Sequence, residues 1–293
     1  MHQPIDPVWE ERSDQLDFRF GAHVLWRVPL RVLSLQSNPL VVSPDLAVPL
    51  DEAVRQGYRA VVKYATPVGQ NFSAIRIERG GLRYAARYGE RYVVDLDRSF
   101  AEYQQKFSNK SRNTLKRKVK RIEQFNNRQN PLQTYRTSAE IRRFYEITIC
   151  ISHRSYKRAF GWGFREDESF VRQLETEANL GSVRGYVLNL RGEPAAYVFC
   201  RIDHDVIIYK HIGNDDRFTR YSPGTVLLYL ILEDLFFERE FRLLDFDGME
   251  HFRIKSSFRH ACCVAHVSYG SVLRLGTSCW SPGTGSLQRP GDS

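Results

Sequence analysis

Apolar positions change rhythm twice along the 293-residue chain. Up to about residue 98 they fall in short runs with strand character, at 23–34, 58–65, 72–78, 82–88 and 92–96. Pro29 makes the first run an edge strand or two short strands, because proline brings no N–H to a ladder. Residues 50–56 fit one or two helical turns. Residues 1–18 are polar and are expected to be loosely ordered.

From 99 to 126 the rhythm is helical. Phe100, Tyr103, Phe107, Leu115, Val119, Ile122 and Phe125 recur at three- and four-residue steps, with a break near Ser108–Ser111 and a stop at Pro131. A second helix is predicted over 138–158, with its N-cap at Ser138 and with Ile141, Phe144, Tyr145, Ile147, Thr148 and Ile151 inward. The loop Gly161-Trp162-Gly163 leads to a helix at 166–179. From Val183 the pattern becomes strand-like again, at 183–190, 194–202 and 206–212, joined by short hairpin turns. A helix at Pro223–Glu238, a strand at 242–247, a helical piece at 249–258 and a strand at 262–272 follow. The tail from Thr277 is rich in Gly, Ser and Pro and is expected to be disordered. The order implies an α/β (α+β) fold in four parts: a flexible N-terminus (1–18), a strand-rich domain (19–98), a second domain (99–275) and the tail (276–293).

Composition narrows the class. A hydrophobic fraction of 42% with 26% charged residues is that of a soluble globular protein. No apolar run approaches the ~20 residues that span a bilayer. The start Met1-His2-Gln3-Pro4 lacks the pattern of a secretory signal, so a cytoplasmic location without membrane insertion is expected. Five cysteines, at 150, 200, 262, 263 and 279, form no C-x-x-C pair. That argues against a disulfide framework or zinc site, and the histidines lack ligand spacing too, so no metal is expected. Cys150 and Cys200 sit among apolar neighbours and read as small core residues.

Net charge is +9, and residues 106–128 carry +8 of it. Lys116, Arg117, Lys120 and Arg121 read as one cationic face. A solvated helix surface is the plain explanation. Like charges at i,i+4 cost stability, however, so an anionic ligand is the sharper one.

The helix start Tyr221-Ser222-Pro223-Gly224-Thr225 holds the other candidate chemistry. Ser222 suits an N-cap, Pro223 suits the first helical position, and Gly224 permits close approach to the backbone. Free N–H groups and the positive end of the helix dipole favour a phosphate there.

Three antiparallel strands, a helix with such a start and a further strand resemble the core order of the GNAT acyltransferases. The stretch Phe107-Ser-Asn-Lys-Ser-Arg-Asn-Thr-Leu-Lys-Arg-Lys, then Gly192-Glu-Pro-Ala-Ala-Tyr, Tyr221-Ser-Pro-Gly-Thr and Leu244-Asp-Phe-Asp-Gly-Met-Glu, are similar to motifs of the CelD-like branch related to the FemAB aminoacyltransferases. The resemblance covers roughly 90–260. It implies a mainly antiparallel sheet flanked by helices, in two tandem GNAT-like domains of which the first is degenerate. It implies transfer of an acyl group, such as acetyl from acetyl-CoA, to an amine or sugar hydroxyl by direct attack, in polysaccharide or cell-envelope biosynthesis.

The family's Arg/Gln-x-x-Gly-x-Gly/Ala is reduced here to the single Gly224, after Arg217 and Arg220. An aminoacyl-tRNA donor is therefore the alternative to acyl-CoA. A silent fold that binds anionic polymer through 106–128 is a third reading.

Residue by residue, the resemblance places Arg220, Tyr221, Ser222, Gly224 and Thr225 at the donor phosphates. It places Tyr209 and His211 beside the acyl group, and Asp247 and Glu250 as candidate bases. Asp245 and Asp247, two apart, would share a strand face and could form a carboxylate pair with one raised pKa. Lys116, Arg117, Lys120, Lys255 and Trp162 are candidate substrate contacts, with Trp162 as a lid. The plain readings are a packed strand residue for Tyr209, a satisfied histidine for His211, a turn former for Asp247 and a core plug for Trp162.

Overall fold

A computed structural model describes residues 10–20, 23–36, 50–67, 75–78, 81–155, 166–247, 258 and 263–273. The chain divides into two compact units, one of residues 1–37, 43–88 and 268–293, the other of residues 38–42 and 89–267.

The first unit holds strands β1 (Glu10–Phe20), β2 (His23–Gln36), β3 (Ala60–Pro67) and β4 (Ile75–Glu78) and helix α1 (Leu50–Arg55). Residues 10–18, expected to be loose, are part of β1, which pairs antiparallel with β2. Arg31 ties them together: its Nε donates to Glu11 Oε1 at 2.6 Å, and its guanidinium lies 4.5 Å from the Tyr58 ring centre. β2 is not the edge strand that Pro29 suggested, because β3 pairs parallel with it. That ladder begins only at Val32, so Pro29 meets just one neighbour, and its missing N–H costs little.

The second unit starts with the end of β5 (Gly81–Asp95), which runs unbroken where two strands were expected. The predicted helix at 99–126 is two: α2 (Phe100–Gln105) and α3 (Asn109–Phe125). Ser99 and Ser108 cap them, each accepting from a backbone N–H three residues on. Then come β6 (Leu132–Tyr135), α4 (Ser138–His153), α5 (Glu168–Asn179), β7 (Val183–Leu190), β8 (Glu193–Asp203), β9 (Val206–Asn214), α6 (Pro223–Glu238), β10 (Leu243–Asp245) and the start of β11 (Cys263–Leu273), whose residues from 268 belong to the first unit. The cap of α4 is Thr137, not Ser138, in a box closed by Glu140. The helical piece expected at 249–258, the 161–163 loop and the tail from 277 lie outside the described residues, apart from Phe258.

The sheet order in this unit is β5-β10-β9-β8-β7-β6. Only the β9–β10 pair is parallel, so the sheet is mainly antiparallel. Helices cover both faces. Tyr186, Leu188, Val198 and Cys200 pack with the apolar residues of α2, α3 and α6. Their strand neighbours Val187, Tyr197 and Phe199 pack with Ile141, Phe144 and Leu174 of α4 and α5. This double burial explains why β7 and β8 read as continuous apolar runs. Cys200 is in the core as expected, whereas Cys150 is exposed on α4.

One buried ion pair anchors the sheet. Arg91 of β5 and Asp245 of β10 are both shut off from solvent, and Arg91 Nε lies 3.0 Å from each Asp245 oxygen. Removing one partner of such a pair strands the other charge, whereas removing both does not. Arg91→Leu is therefore expected to cost about 3–5 kcal/mol. Arg91→Leu with Asp245→Leu should cost much less, as read by urea denaturation. Equal losses in the single and double variants would refute an anchoring pair.

Candidate active site

The site begins where two strands part. β9 pairs with β10 from Val206 to Ile208; β10 then ends at Asp245, while β9 runs on to Asn214. At the same level β9 carries a bulge. Cys200 faces Tyr209 and Phe199 faces His211, so Lys210 is the extra residue.

The bulge has a direct chemical consequence. Residues two apart normally share a face, but here Tyr209 and His211 point to opposite sides of the sheet. Tyr209 goes into the core beside Phe246, with ring centres 5.4 Å apart, and burial pushes its hydroxyl pKa far up. Its side chain thus lies on the core side of the sheet. His211 goes to the other face, stacked on Phe199 at 6.2 Å.

The chain after β10 turns sharply. Asp245 Oδ1 accepts the Asp247 N–H at 3.0 Å, and Asp247 adopts a left-handed φ of 59°. That conformation lifts the Asp247 carboxylate onto Lys210, whose Nζ donates to Oδ2 at 2.8 Å. The expected carboxylate pair does not form, because Asp245 is committed to Arg91 and Asp247 to Lys210. His211 is solvent-exposed as a residue, but desolvation by the protein around its ring lowers its pKa. The Lys210 cation lowers it further, and the Asp247 carboxylate opposes the shift. The imidazole is therefore biased towards its neutral, proton-accepting form.

The second part of the site is the start of α6. A 3₁₀ turn, Asp216–Tyr221, delivers the chain to Ser222, which has φ 53° and ψ 51°. Ser222 stands at the N-cap position without using its side chain as a cap, contrary to expectation. The Thr225 N–H donates to the Ser222 carbonyl at 3.0 Å, and Pro223 has no N–H. Gly224 is left to supply the open backbone donor. Its lack of a side chain serves packing as well: a Cβ there would meet Ile212 Cδ1 at 3.3 Å. Thr225 is buried.

Two cations flank this start. The guanidinium carbons of Arg121 and Arg220 lie 5.0 and 4.9 Å from the Tyr221 ring centre, and Phe125 packs on that ring at 4.8 Å. Arg217, by contrast, is spent on Asp215 and Glu193. The predicted single cationic face of α3 is split. Lys116 and Arg121 are five residues apart, about 140° around a helix. Lys116 faces α2, whereas Arg121 reaches Tyr221. Arg117 and Lys120 are exposed. Glu250, Lys255 and Trp162 lie outside the described residues.

Lys210 and the Arg91 anchor were not candidates from the sequence. Nothing local marks a bulge or a partner 154 residues away.

The acetyltransferase (GNAT) domain family model matches residues 109–256, half of the chain, and the protein belongs to that family. Among solved structures, FemX aligns over 91% of this chain and 88% of its own, at 10% identity and a TM-score of 0.54. A C-terminal domain assigned to a lysylphosphatidylglycerol synthetase of Agrobacterium fabrum aligns over 83% and 80%, at 12% identity and 0.52. A conserved protein of unknown function from Bacteroides thetaiotaomicron aligns over 82% and 79%, at 11% identity and 0.50. At these identities the likeness is one of fold, and it establishes the GNAT-like α/β architecture. A search of the curated proteins finds no match. Among the described residues, no helix is long and apolar enough to cross a membrane.

The left-handed Ser222 stands where glycine is the unstrained choice. Ser222→Gly is expected to leave stability unchanged or raise it by up to about 1 kcal/mol, while Ser222→Val lowers it by at least as much. Denaturant midpoints measure both. A Ser222→Val protein as stable as the parent would show that this backbone is not held left-handed.

Proposed function

We propose that the protein transfers an acyl group from a phosphate-bearing carrier to an amine, with acyl-CoA as the donor. The observation that carries this reading is the parting of β9 from β10 at the Lys210 bulge, beside the start of α6. An acyl carbonyl held between the two strands would lie near His211, with its carrier's phosphates towards Gly224, Arg121 and Arg220.

Attack by the amine on the carbonyl carbon gives a tetrahedral oxyanion. The carrier leaves as that oxyanion collapses, and the surplus amine proton passes to the neutral His211 imidazole. Lys210 holds Asp247, and the pair fixes the local charge without needing to trade protons. No covalent enzyme intermediate is involved.

A second reading, with aminoacyl-tRNA as donor, has its own support. The backbone cradle offers the Gly224 N–H where the family pattern has two glycines, so the donor's charge would rest mainly on arginines. The lysylphosphatidylglycerol synthetase likeness fits an aminoacyl donor as well.

Two measurements test these readings. Acetyl-CoA should raise Tm, and Arg121→Ala with Arg220→Ala should abolish the rise. No shift with any CoA ester, together with salt-dependent retention of tRNA, would replace acyl-CoA by the second donor. His211→Ala should lower kcat/KM by roughly 10²–10⁴. In the parent, activity should fall as pH drops through a pKa below the ordinary histidine value, because imidazolium cannot accept the proton. That acid limb should vanish in His211→Ala; a variant with the parent's profile would clear His211 of the role.

A further inference from the structure

A groove of about 460 Å³ lies between α2 and α3, within the ~300–1,000 Å³ typical of small-molecule sites. Its chemistry comes from two matched helical rows. Gln104 and Gln105 project from α2, and Asn109, Arg112, Asn113 and Lys116 from α3. The spacing on α3 is i, i+3, i+4, i+7, which is a single face. The adjoining stripe of α3, with Leu115, Val119 and Ile122, is buried. So the groove face is polar by selection of residue type rather than by a lapse in the apolar stripe.

Four of these six side chains are carboxamides, each offering both donors and an acceptor. That dual capacity suits a row of hydroxyl groups, which also donate and accept at once. Carboxylates could only accept, and none of the lining residues is acidic. Arg112 and Lys116 add positive charge at one side. Gln104, Arg112 and Lys116 also border a separate apolar crevice of about 10 Å³, lined by Phe100, Phe107 and Tyr229 and too small for a sugar ring. Gln104 is held in place by its Nε2 donating to the Tyr229 hydroxyl at 2.7 Å. Asn109 accepts from Arg112. A rim of carboxamides with cations at one side matches a sugar ring that carries an acidic group.

We infer that the α2–α3 groove is a binding site for an acidic saccharide, such as a uronic acid unit. Lys116 and Arg112 take the carboxylate, and Gln105 and Asn113 take ring hydroxyls. Binding here is independent of which donor the β9–β10 site takes, so the tests are separable. If the acyl-transfer reading also holds, the groove names a saccharide as the ligand class present in the same unit.

The test is saturation-transfer NMR and calorimetry on the full chain, with methyl β-glucuronide and methyl β-glucoside. The glucuronide should bind, and the neutral glucoside should bind roughly tenfold or more weakly, the loss expected when a charge-assisted hydrogen bond is removed. Lys116→Ala should erase the difference between the two sugars. Asn113→Leu and Gln105→Leu, both at solvent-facing positions, should each weaken both sugars while leaving Tm unchanged. Failure of the glucuronide to bind would overturn the proposal. So would equal affinity for the two sugars, or glucuronide binding that survives Lys116→Ala and Asn113→Leu.

Discussion

Everything at the mouth of the sheet depends on the ion pair between Arg91 and Asp245. It joins strands far apart in sequence and sits wholly out of water. A buried pair of this kind gives little net stability over an apolar one, because desolvation cancels most of the attraction. Its value is positional. The carboxylate that holds Arg91 also accepts the Asp247 N–H. One fixed carboxylate therefore ends β10, turns the chain into a left-handed step and aims Asp247 at Lys210. A hydrophobic pair could hold β5 to β10, but it could not accept that N–H.

The bulge completes the arrangement from the other strand. Without the extra residue, Tyr209 and His211 would share a face, and either both would be buried or both would be open. With it, Tyr209 seals the core against Phe246 while His211 stays at the surface beside Lys210 and Asp247. The cost of an interrupted ladder falls where β10 has already ended. The disruption thus coincides with the place where the sheet must open. α6, buried over most of its length, then brings Gly224 against Ile212 of the same strand. Strand and helix start are therefore in direct contact.

The sequence revealed what is written locally. Apolar periodicity located α4, α5, α6 and β7 to β9. The serine-rich break near 108–111 marked the junction between α2 and α3, whose caps are Ser99 and Ser108. Long-range facts were not legible. Arg91 looks like any strand arginine until Asp245 is beside it. Lys210 looks like an exposed strand residue until the register slips by one. The sense of strand alternation failed for the same reason: it grouped Asp245 with Asp247 by counting twos through a turn. Ser222 was misjudged because cap preference describes residues in extended conformation, whereas here the backbone is left-handed and the side chain makes no cap bond.

The basic segment shows how a charge count can mislead and still point to something real. An excess of +8 over 106–128 suggested one cationic face for an anionic ligand. The helix geometry divides that charge between two neighbourhoods. Arg121 joins Arg220 around Tyr221 at the head of α6, while Arg112 and Lys116 join the carboxamides opposite α2. A polyanion lying along α3 would need these cations in line, and the pitch of the helix sets them on diverging sides. Because the apolar stripe of α3 is fully occupied by the core, the helix cannot rotate to merge the two groups. The separation is a fixed property of the fold, and α3 keeps the Arg121–Arg220 pair apart from Arg112 and Lys116.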